Sequence, residues 1–214
     1  MRSRPIGVFD SGLGGLTVVK ALQKSLSHED LVYFGDTARV PYGTKSRQSI
    51  IRFSRENAQV LLKHKVKMVV VACNSSSSYA LGSLKRYLDI PVVGVIRPGV
   101  NRALEFTQND RIGVIATPAT VASQAYQKEI QKKDKKAKVF SQACPLFVPL
   151  VEEGWFHHDV TRHVAKEYLG VLKKKKIDTL ILGCTHYPLL KALLGDVMGK
   201  GVRLVDSAQE VARE

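Results

Sequence analysis

The sequence predicts an α/β protein made of two similar units with mainly parallel sheets. Short apolar runs that end at or near glycine recur along the chain, and such runs are typical of strands buried in parallel sheets. Segments with helical periodicity separate them, as at residues 47–64. The spacing also repeats, because Gly7 precedes Cys73 by about 66 residues and Gly113 precedes Cys184 by about 71. This repeat predicts two related units, each with one thiol at a strand end.

Eight strands are predicted where apolar residues cluster, and helices where apolar residues recur every three or four positions. Strand 139–142 is expected at a sheet edge, and residues 143–154 as a turn-rich segment. The other strands are expected at residues 6–10, 31–34, 68–72, 91–95, 111–116, 179–182 and 202–205. Helices are expected after the glycines of DSGLGG, at residues 47–64, 79–88, 100–106, 121–130, 161–172 and 189–197, and after a cap at Asp206 or Ser207.

Two domains are expected, with an active site in the cleft between them and a pseudo-two-fold axis relating them. Arg97-Pro98-Gly99 breaks the pattern and is the predicted hinge. The first domain is expected to comprise residues 1–97 and 206–214, and the second residues 98–205. Because the chain stops within its last predicted helix, the first domain is expected to lack a C-terminal part.

The composition favours a cytoplasmic protein. A hydrophobic fraction of 44% is ordinary for a globular chain, no apolar run approaches the roughly 18 residues of a membrane span, and no secretory signal is visible. The three cysteines, Cys73, Cys144 and Cys184, lack CxxC spacing, which disfavours a disulfide framework or a zinc knuckle. We therefore expect a reducing environment, no membrane contact and no metal site.

The net charge of +14 is large, and much of it lies in two runs, residues 132–138 and 173–176. Both runs follow helix-like segments, where cations complement the helix C-terminus and remain solvated. A solvated basic face is therefore the favoured interpretation, and contact with nucleic acid or another polyanion is the alternative. No recognisable nucleic-acid-binding module accompanies the charge.

The candidate chemistry lies where the two repeated strands end. Cys184 is followed by Thr185 and His186 in LGCTHYPLL, and Cys73 is followed by Asn74 and Ser75 in VVACNSSSS. A buried cysteine usually only packs, but two at repeated positions with polar neighbours favour a function. Cys144 lacks such neighbours and is expected to be structural.

Two loops carry further candidate residues. Asp10 and Ser11 precede the glycines of GLGG, which allow close backbone approach to a ligand, and a small carboxylate is a more suitable guest there than a nucleotide. A helix cap is an equally good interpretation of Asp10 and Ser11. The loop GDTARVPYGTKS holds Tyr42 and Gly43, for which a surface turn is the simpler interpretation from the local pattern alone.

Two thiols on opposite walls of a cleft can invert a stereocentre. One removes a proton from a carbon acid and the other returns a proton to the opposite face, so that one thiolate and one thiol are needed together. A free cysteine titrates near about 8.5, so a modest environmental shift suffices. Asp10 can serve Cys73 and His186 can serve Cys184. Donors for the carbanion's carboxylate are available at Asn74, Ser75, Thr185, Ser11 and the loop amides.

The segments DSGLGGLTV, YFGDTARVPYGTKS, VVACNSSS, PLVEEG and LGCTHYPLL closely resemble the aspartate/glutamate racemase family over residues 7–212. The resemblance implies cofactor-independent interconversion of L- and D-glutamate, which supplies D-glutamate for peptidoglycan. It implies Cys73 and Cys184 as the acid/base residues, with Glu152 as a further polar residue near Cys184. It implies substrate contacts at Asp10, Ser11, Tyr42, Gly43, Asn74, Ser75, Thr185 and His186. Where the family commonly has CNTA, this chain has CNSS, so Ser75 keeps the hydroxyl and loses a methyl group.

Several alternatives remain open at this stage. Aspartate racemase is the nearest alternative enzyme, and a hydrolase with a Cys-His pair is disfavoured because a second thiol would be redundant. A catalytically weak basic protein that contacts nucleic acid or an acidic partner is the alternative of another class, and contact with DNA gyrase is reported for some members of the family. We expect a homodimer that binds glutamate and uses neither cofactor nor metal.

Overall fold

The computed structural model describes residues 4–214, which form two sheets of four parallel strands with helices around them. This confirms the predicted fold class. The strands are β1 Ile6–Asp10, β2 Leu31–Gly35, β3 Met68–Val71, β4 Val92–Gly94, β5 Arg111–Ala116, β6 Lys138–Ala143, β7 Thr179–Gly183 and β8 Arg203–Asp206. The helices are α1 Leu16–Ser25, α2 Arg47–Lys63, α3 Asn74–Tyr79, α4 Leu81–Tyr87, α5 Ile96–Phe106, α6 Pro118–Ser123, α7 Ala125–Lys133, α8 Phe147–Glu152, α9 Asp159–Lys174, α10 Lys191–Met198 and α11 Ser207–Val211.

Both sheets have the same kind of strand order. The first is β2-β1-β3-β4 and the second is β6-β5-β7-β8. In each sheet the order in which strands are added reverses once, between β1 and β3 and between β5 and β7. The register pairs Phe9 with Val71 and Ala116 with Gly183. A crevice forms at the carboxyl ends of strands where the order reverses, and ligands bind there in open α/β sheets. The residues that follow these four strands therefore meet at such crevices.

The carboxyl end of the chain packs against the first sheet. Helix α11 follows β8 of the second sheet, yet Ala208 and Val211 belong to the apolar cluster that contains Val8 and Val18. This cluster excludes water from the face of β1 that helix α1 covers, and burial of its apolar area stabilises the association. The domain boundaries at residues 97/98 and 205/206 stay a prediction.

The predicted hinge at Arg97-Pro98-Gly99 is wrong as a break in structure, because all three residues lie in the first turn of α5. Proline is tolerated in the first turn of a helix, where backbone N–H groups have no partner within the helix. The helix predicted at residues 79–88 is also preceded by another, since the serines after Cys73 form α3. Likewise, the segment predicted to be turn-rich contains α8. In residues 4–214, no helix is long and apolar enough to cross a membrane.

Candidate active site

The two repeated thiols lie at the two strand reversals and line one small cavity of about 20 Å³. Cys73 follows β3 and caps α3, where its Sγ accepts from the backbone N–H of Ser76 at 3.5 Å. Cys184 follows β7. Both are buried, with 4% and 6% of their surface exposed. The structure therefore brings together two thiols that lie 111 positions apart in the sequence numbering.

Most of the predicted site residues share this cavity. Its lining includes Ser11, Tyr42, Gly43, Cys73, Asn74, Ser75, Cys184, Thr185 and His186. The two remaining predicted residues, Asp10 and Glu152, lie behind this lining and contact it. Asp10 is hydrogen-bonded to Thr185, and Glu152 is hydrogen-bonded to His186. Their roles in binding and catalysis stay a prediction.

Asp10 is fully buried beside the first thiol without a hydrogen bond to it among the described residues. Its Oδ2 accepts from the backbone N–H of Gly15 at 2.8 Å and from the Thr185 hydroxyl at 3.3 Å. Burial raises the pKa of this carboxyl above its usual range, although the charge of His186 opposes the rise. Ser11, by contrast, lines the cavity beside Cys73.

The second thiol has a relay of two polar groups behind it. The Cys184 Sγ lies 3.7 Å from Nδ1 of His186, and Nε2 of the same ring is hydrogen-bonded to Oε1 of Glu152. His186 is buried whereas the Glu152 side chain is 36% exposed, so the relay runs from the cavity towards solvent. A carboxylate that accepts from one ring nitrogen fixes the tautomer of the other, which here faces the sulfur. Glu152 is the last residue of α8, in the segment predicted to be turn-rich.

The loop with Tyr42 and Gly43 is a buried network and not the surface turn that its local pattern favoured. The Tyr42 hydroxyl donates to Asp36 and accepts from Nδ2 of Asn57 at 3.0 Å. Arg39 donates to Asp36 from Nε at 2.7 Å and also reaches Glu56 and Asn57. The network holds the Tyr42 phenol in place, and Tyr42 and Gly43 line the cavity.

The glycines of GLGG leave room for side chains of the protein itself. A Cβ atom on Gly14 would lie 2.5 Å from Nδ1 of His186, and one on Gly15 would lie 2.4 Å from Cβ of Asp10. The prediction that this turn offers N–H groups to an external carboxylate is therefore wrong for Gly15. Its N–H already binds the carboxylate of Asp10. A buried carboxylate five residues away fills the anion position that the sequence pattern left open.

Three residues of the cavity were missed from the sequence: Pro41, Thr117 and Val148. Thr117 directly follows β5, as Ser11 directly follows β1. Its hydroxyl lies 3.0 Å from that of Ser75 and 3.1 Å from that of Thr120. The repeat itself was the signal that would have found Thr117, because equivalent strand ends face the same cleft.

Burial keeps both candidate acid/base thiols protonated in this closed arrangement. Burial raises the pKa of Cys73 to about 11, and the charge of Asp10 acts in the same direction. Burial also raises the pKa of Cys184 above its usual range, with smaller contributions of the same sign from Asp10 and Cys73. Burial alone raises the pKa of Cys144, which lies in the apolar core of the second sheet.

A larger surface groove of about 610 Å³ lies along β4 and α7 and is lined by residues such as Val93, Arg97 and Lys132. It contains none of the thiols, so enclosure and the convergence of chemical groups favour the smaller cavity as the active site. Within residues 4–214, no cluster of three or more His, Cys, Asp or Glu side chains has the arrangement of a metal site.

The fold and the site define a class of α/β proteins in which two thiols, at equivalent strand reversals of two parallel sheets, line one cavity. A family model for Asp/Glu/Hydantoin racemases matches residues 6–214. The chain belongs to this family. It is 53% identical to the glutamate racemase of Geobacter metallireducens over 98% of its own length and 78% of that protein's.

Two solved structures of relatives match the whole chain. A glutamate racemase isoform of Bacillus anthracis superposes with a TM-score of 0.97 at 40% identity, covering 100% of this chain and 80% of that one. The glutamate racemase of Francisella tularensis, solved in complex with D-glutamate, superposes with a TM-score of 0.93 at 44% identity, with the same coverage. At these identities the likeness extends beyond the fold.

Proposed function

We propose that this chain is a glutamate racemase, an isomerase that interconverts L- and D-glutamate. The observation that carries the proposal is the pair of buried thiols at two equivalent strand reversals that line one cavity. The family, and the relatives that are glutamate racemases, support glutamate as the substrate. Aspartate is the alternative substrate, and the same assay tests it.

In the proposed mechanism, one cysteine acts as a thiolate and the other as a thiol. The thiolate takes the α-proton, which leaves the electron pair on the α-carbon, and the other thiol protonates that carbon from the opposite face. The reaction thus ends with the proton on the first sulfur and the charge on the second. The reverse reaction exchanges the two roles, so neither direction requires a cofactor.

The groups behind each sulfur differ and suit the two half-reactions. For Cys184 the relay through His186 to Glu152 can accept a proton and pass it towards solvent. For Cys73 the neighbouring groups are the Ser11 hydroxyl and the buried carboxyl of Asp10, whose pKa is raised by burial. A raised pKa brings this carboxyl closer to neutral pH and to the pKa of a thiol. Proton exchange between the two groups is then easier.

Substrate carboxylates would be bound by hydroxyl, amide and backbone N–H donors that already line the cavity. Asn74, Ser75 and Thr185 are buried there and uncharged, so they add hydrogen bonds without fixing the charge of the site. A volume of about 20 Å³ holds roughly one water molecule. Binding of glutamate therefore requires that the two walls separate and close again around the substrate.

The decisive experiment follows the α-hydrogen of L- and D-glutamate in D₂O by NMR, together with optical rotation. The wild-type chain is expected to exchange the α-hydrogen and to lose rotation. Cys73→Ser and Cys184→Ser are each expected to lose racemisation by more than about 1,000-fold, because each removes one of two required groups. Cys144→Ser is the matched control and keeps racemisation.

Single-thiol variants also test which cysteine removes the α-proton of which enantiomer. A chain that retains one thiol can still remove and return a proton on one face. Each variant is therefore expected to exchange the α-hydrogen of one enantiomer only, and the two variants the opposite ones. Racemisation that survives loss of either cysteine would contradict the mechanism, and absence of exchange by the wild-type chain would contradict the function. Growth of a D-glutamate-requiring bacterial strain on the expressed chain tests the proposed supply for peptidoglycan.

A second candidate function rests on the two basic runs, one of which leads into edge strand β6 while the other reaches the same strand through Lys175. Lys175 and Arg111 both lie over the ring of Phe140 on edge strand β6, with Nζ 5.8 Å and Cζ 5.0 Å from its centroid. Six lysines of the two runs are exposed: Lys135, Lys136, Lys138, Lys174, Lys175 and Lys176. None of the six has an ion pair within residues 4–214. We propose that these lysines contact nucleic acid.

Salt titration of duplex DNA binding tests the second candidate. Replacement of Lys174, Lys175 and Lys176 by glutamine is expected to weaken binding and to reduce the slope of log K against log salt by about 1 per lost phosphate contact. Replacement of Lys20 and Lys24 on α1 is the control. Equal effects of both sets would show non-specific charge attraction. The homodimer and the cytoplasmic location stay predictions, and light scattering of the purified chain tests the former.

A further inference from the structure

The carboxamide of Asn74 has one satisfied and one unsatisfied end. Its Oδ1 accepts from the hydroxyl of Tyr126 at 2.7 Å. Its Nδ2 is buried and has no hydrogen-bond partner among residues 4–214. Asn74 is 2% exposed and lines the cavity beside Cys73. A buried donor without a partner is costly, and at a cavity wall it indicates a bond completed by a ligand.

Tyr126 determines which end of the carboxamide faces the cavity. Within the described residues, Asn74 Oδ1 is the acceptor found for its hydroxyl proton. Burial raises the pKa of the phenol above its usual range, so the hydroxyl remains protonated and has to donate. A buried hydroxyl that must donate selects the carbonyl end of an amide and directs the NH₂ group the other way. The amide orientation is thus set by this one bond.

The tyrosine ring is held in place by close packing. Tyr126 is 3% exposed and belongs to the apolar cluster with Val100, Ile130 and Ile181. A Cβ atom on Gly183 would lie 3.1 Å from its Cε2, so the residue before Cys184 leaves room for the ring. Tyr126 is on α7 of the second sheet's part of the chain, whereas Asn74 opens α3 behind the first sheet. The bond therefore joins the part of the chain around the second sheet to Asn74 in the cavity wall.

We propose that Tyr126 is a positioning residue of the proposed racemase, whose hydroxyl turns the Asn74 carboxamide so that Nδ2 donates to a carboxylate oxygen of the substrate. The inference rests on the proposed function. It adds that the donor is ready only when the two walls meet, because the hydroxyl and the carboxamide come from different sheets. Closure of the site and completion of its carboxylate-binding group are then one event.

Tyr126→Phe keeps the ring and removes the hydroxyl. We expect kcat/KM to fall by about 10- to 100-fold and the dissociation constant of D-glutamate to rise, since a misdirected donor loses the substrate contact. Tyr187→Phe is the matched control. Tyr187 is equally buried, and its hydroxyl donates to the carbonyl of Cys144 at 3.0 Å, away from the cavity. A fall of similar size in the control would overturn the proposal.

A double-variant cycle separates positioning from a purely structural role. In an Asn74→Ala background, D-glutamate binding is expected to be unaffected by the further change Tyr126→Phe, because the group that Tyr126 orients is already absent. If Tyr126→Phe weakens binding by the same factor in both backgrounds, the hydroxyl does not act through Asn74 and the proposal fails.

A measurement that does not depend on racemase activity tests this inference separately from the proposed function. In ¹⁵N NMR spectra of the unliganded chain, the side-chain NH₂ signals of Asn74 are expected to shift and broaden in Tyr126→Phe and to remain unchanged in Tyr187→Phe. Unchanged Asn74 signals in Tyr126→Phe would overturn the positioning role even in an active enzyme. A wild-type chain that neither racemises nor exchanges glutamate would overturn the function and leave the NMR result to decide the orientation.

Discussion

At the residue scale, burial of Cys73 predicts a loss of stability in alkaline solution. Its pKa is about 11 in the folded chain, above the value near 8.5 of a free cysteine. A group with a raised pKa contributes stability that is complete below the unfolded pKa and is lost as pH rises through the folded one. The free energy of unfolding is therefore expected to fall between about pH 8.5 and 11, by roughly 3 kcal/mol from this thiol.

Urea unfolding of wild type and Cys73→Ser over this pH range measures that contribution. Lysine titration is common to both proteins and cancels in the difference. The wild-type curve is expected to fall more steeply with pH, because serine does not ionise there. Parallel curves would mean that Cys73 titrates alike in the folded and unfolded chains, which contradicts its burial.

Single residues also show what the sequence can predict about a site. Cys73 and Cys184 were predictable because each ends an apolar strand and because their positions repeat. The network of Asp10 was not, since the same GLGG turn suits an external anion and an internal carboxylate equally well. Only the folded chain shows that Gly15 donates to Asp10 and that Thr185, far along the sequence, donates to the same oxygen.

At the element scale, the loop before α2 is ordered by buried polar bonds. Tyr42→Phe leaves Asp36 and the Nδ2 of Asn57 each without one partner. We expect a loss of about 1–3 kcal/mol in the free energy of unfolding and a higher KM, because the same loop lines the cavity. Tyr87→Phe is the control, since its hydroxyl bonds Gln59 at the surface, and it should cost less than about 0.5 kcal/mol. Equal losses would contradict the buried network.

Helix α9 offers a stabilising change. Gly170 lies in its interior, and a Cβ atom there would meet nothing within 4 Å. Gly170→Ala is expected to raise the free energy of unfolding by about 0.5–1 kcal/mol through lower chain entropy in the unfolded state. Gly43→Ala is the contrasting variant, because its Cβ would lie 2.5 Å from Cβ of Thr117. It should keep the fold and lose activity, since it separates the two walls. A loss of stability in Gly170→Ala by thermal unfolding would contradict the open space.

Element boundaries were least predictable where local signals conflict. Arg97-Pro98-Gly99 carries two helix-breaking residue types, but α5 begins at Ile96 because Val100 and Ala103 bury one of its faces in the core. The serines of α3 are poor helix formers, yet the Cys73 sulfur caps the helix and the serine hydroxyls bond within the protein. Tertiary contacts outweighed propensity in both places.

At the scale of the whole molecule, the parallel α/β architecture followed from short apolar strands alternating with helices. The sequence did not determine how closely the two walls meet. That contact depends on pairs such as Gly43 with Thr117 and Tyr126 with Asn74, which come from separate parts of the chain. Periodicity describes one element at a time and contains no information on such pairs.

The closed cavity predicts a reversible opening of the whole molecule. A cavity of about 20 Å³ holds roughly one water molecule, so we expect the walls to separate to admit a substrate without unfolding of the chain. Cys73 and Cys184 face this cavity, whereas Cys144 is 0% exposed within the core. A thiol reagent is therefore expected to label Cys73 and Cys184 faster than Cys144, with peptide mass spectrometry assigning each site.

D-glutamate provides the control for this opening. It should slow the labelling of Cys73 and Cys184 by holding the walls closed, and Cys144 should be slowed only as far as global unfolding is. Mild urea should accelerate Cys144 most, since its exposure requires the largest change in surface. If all three thiols react at one rate that follows global unfolding, the site does not open separately. The substrate would then have to enter by a path that leaves the two walls in contact.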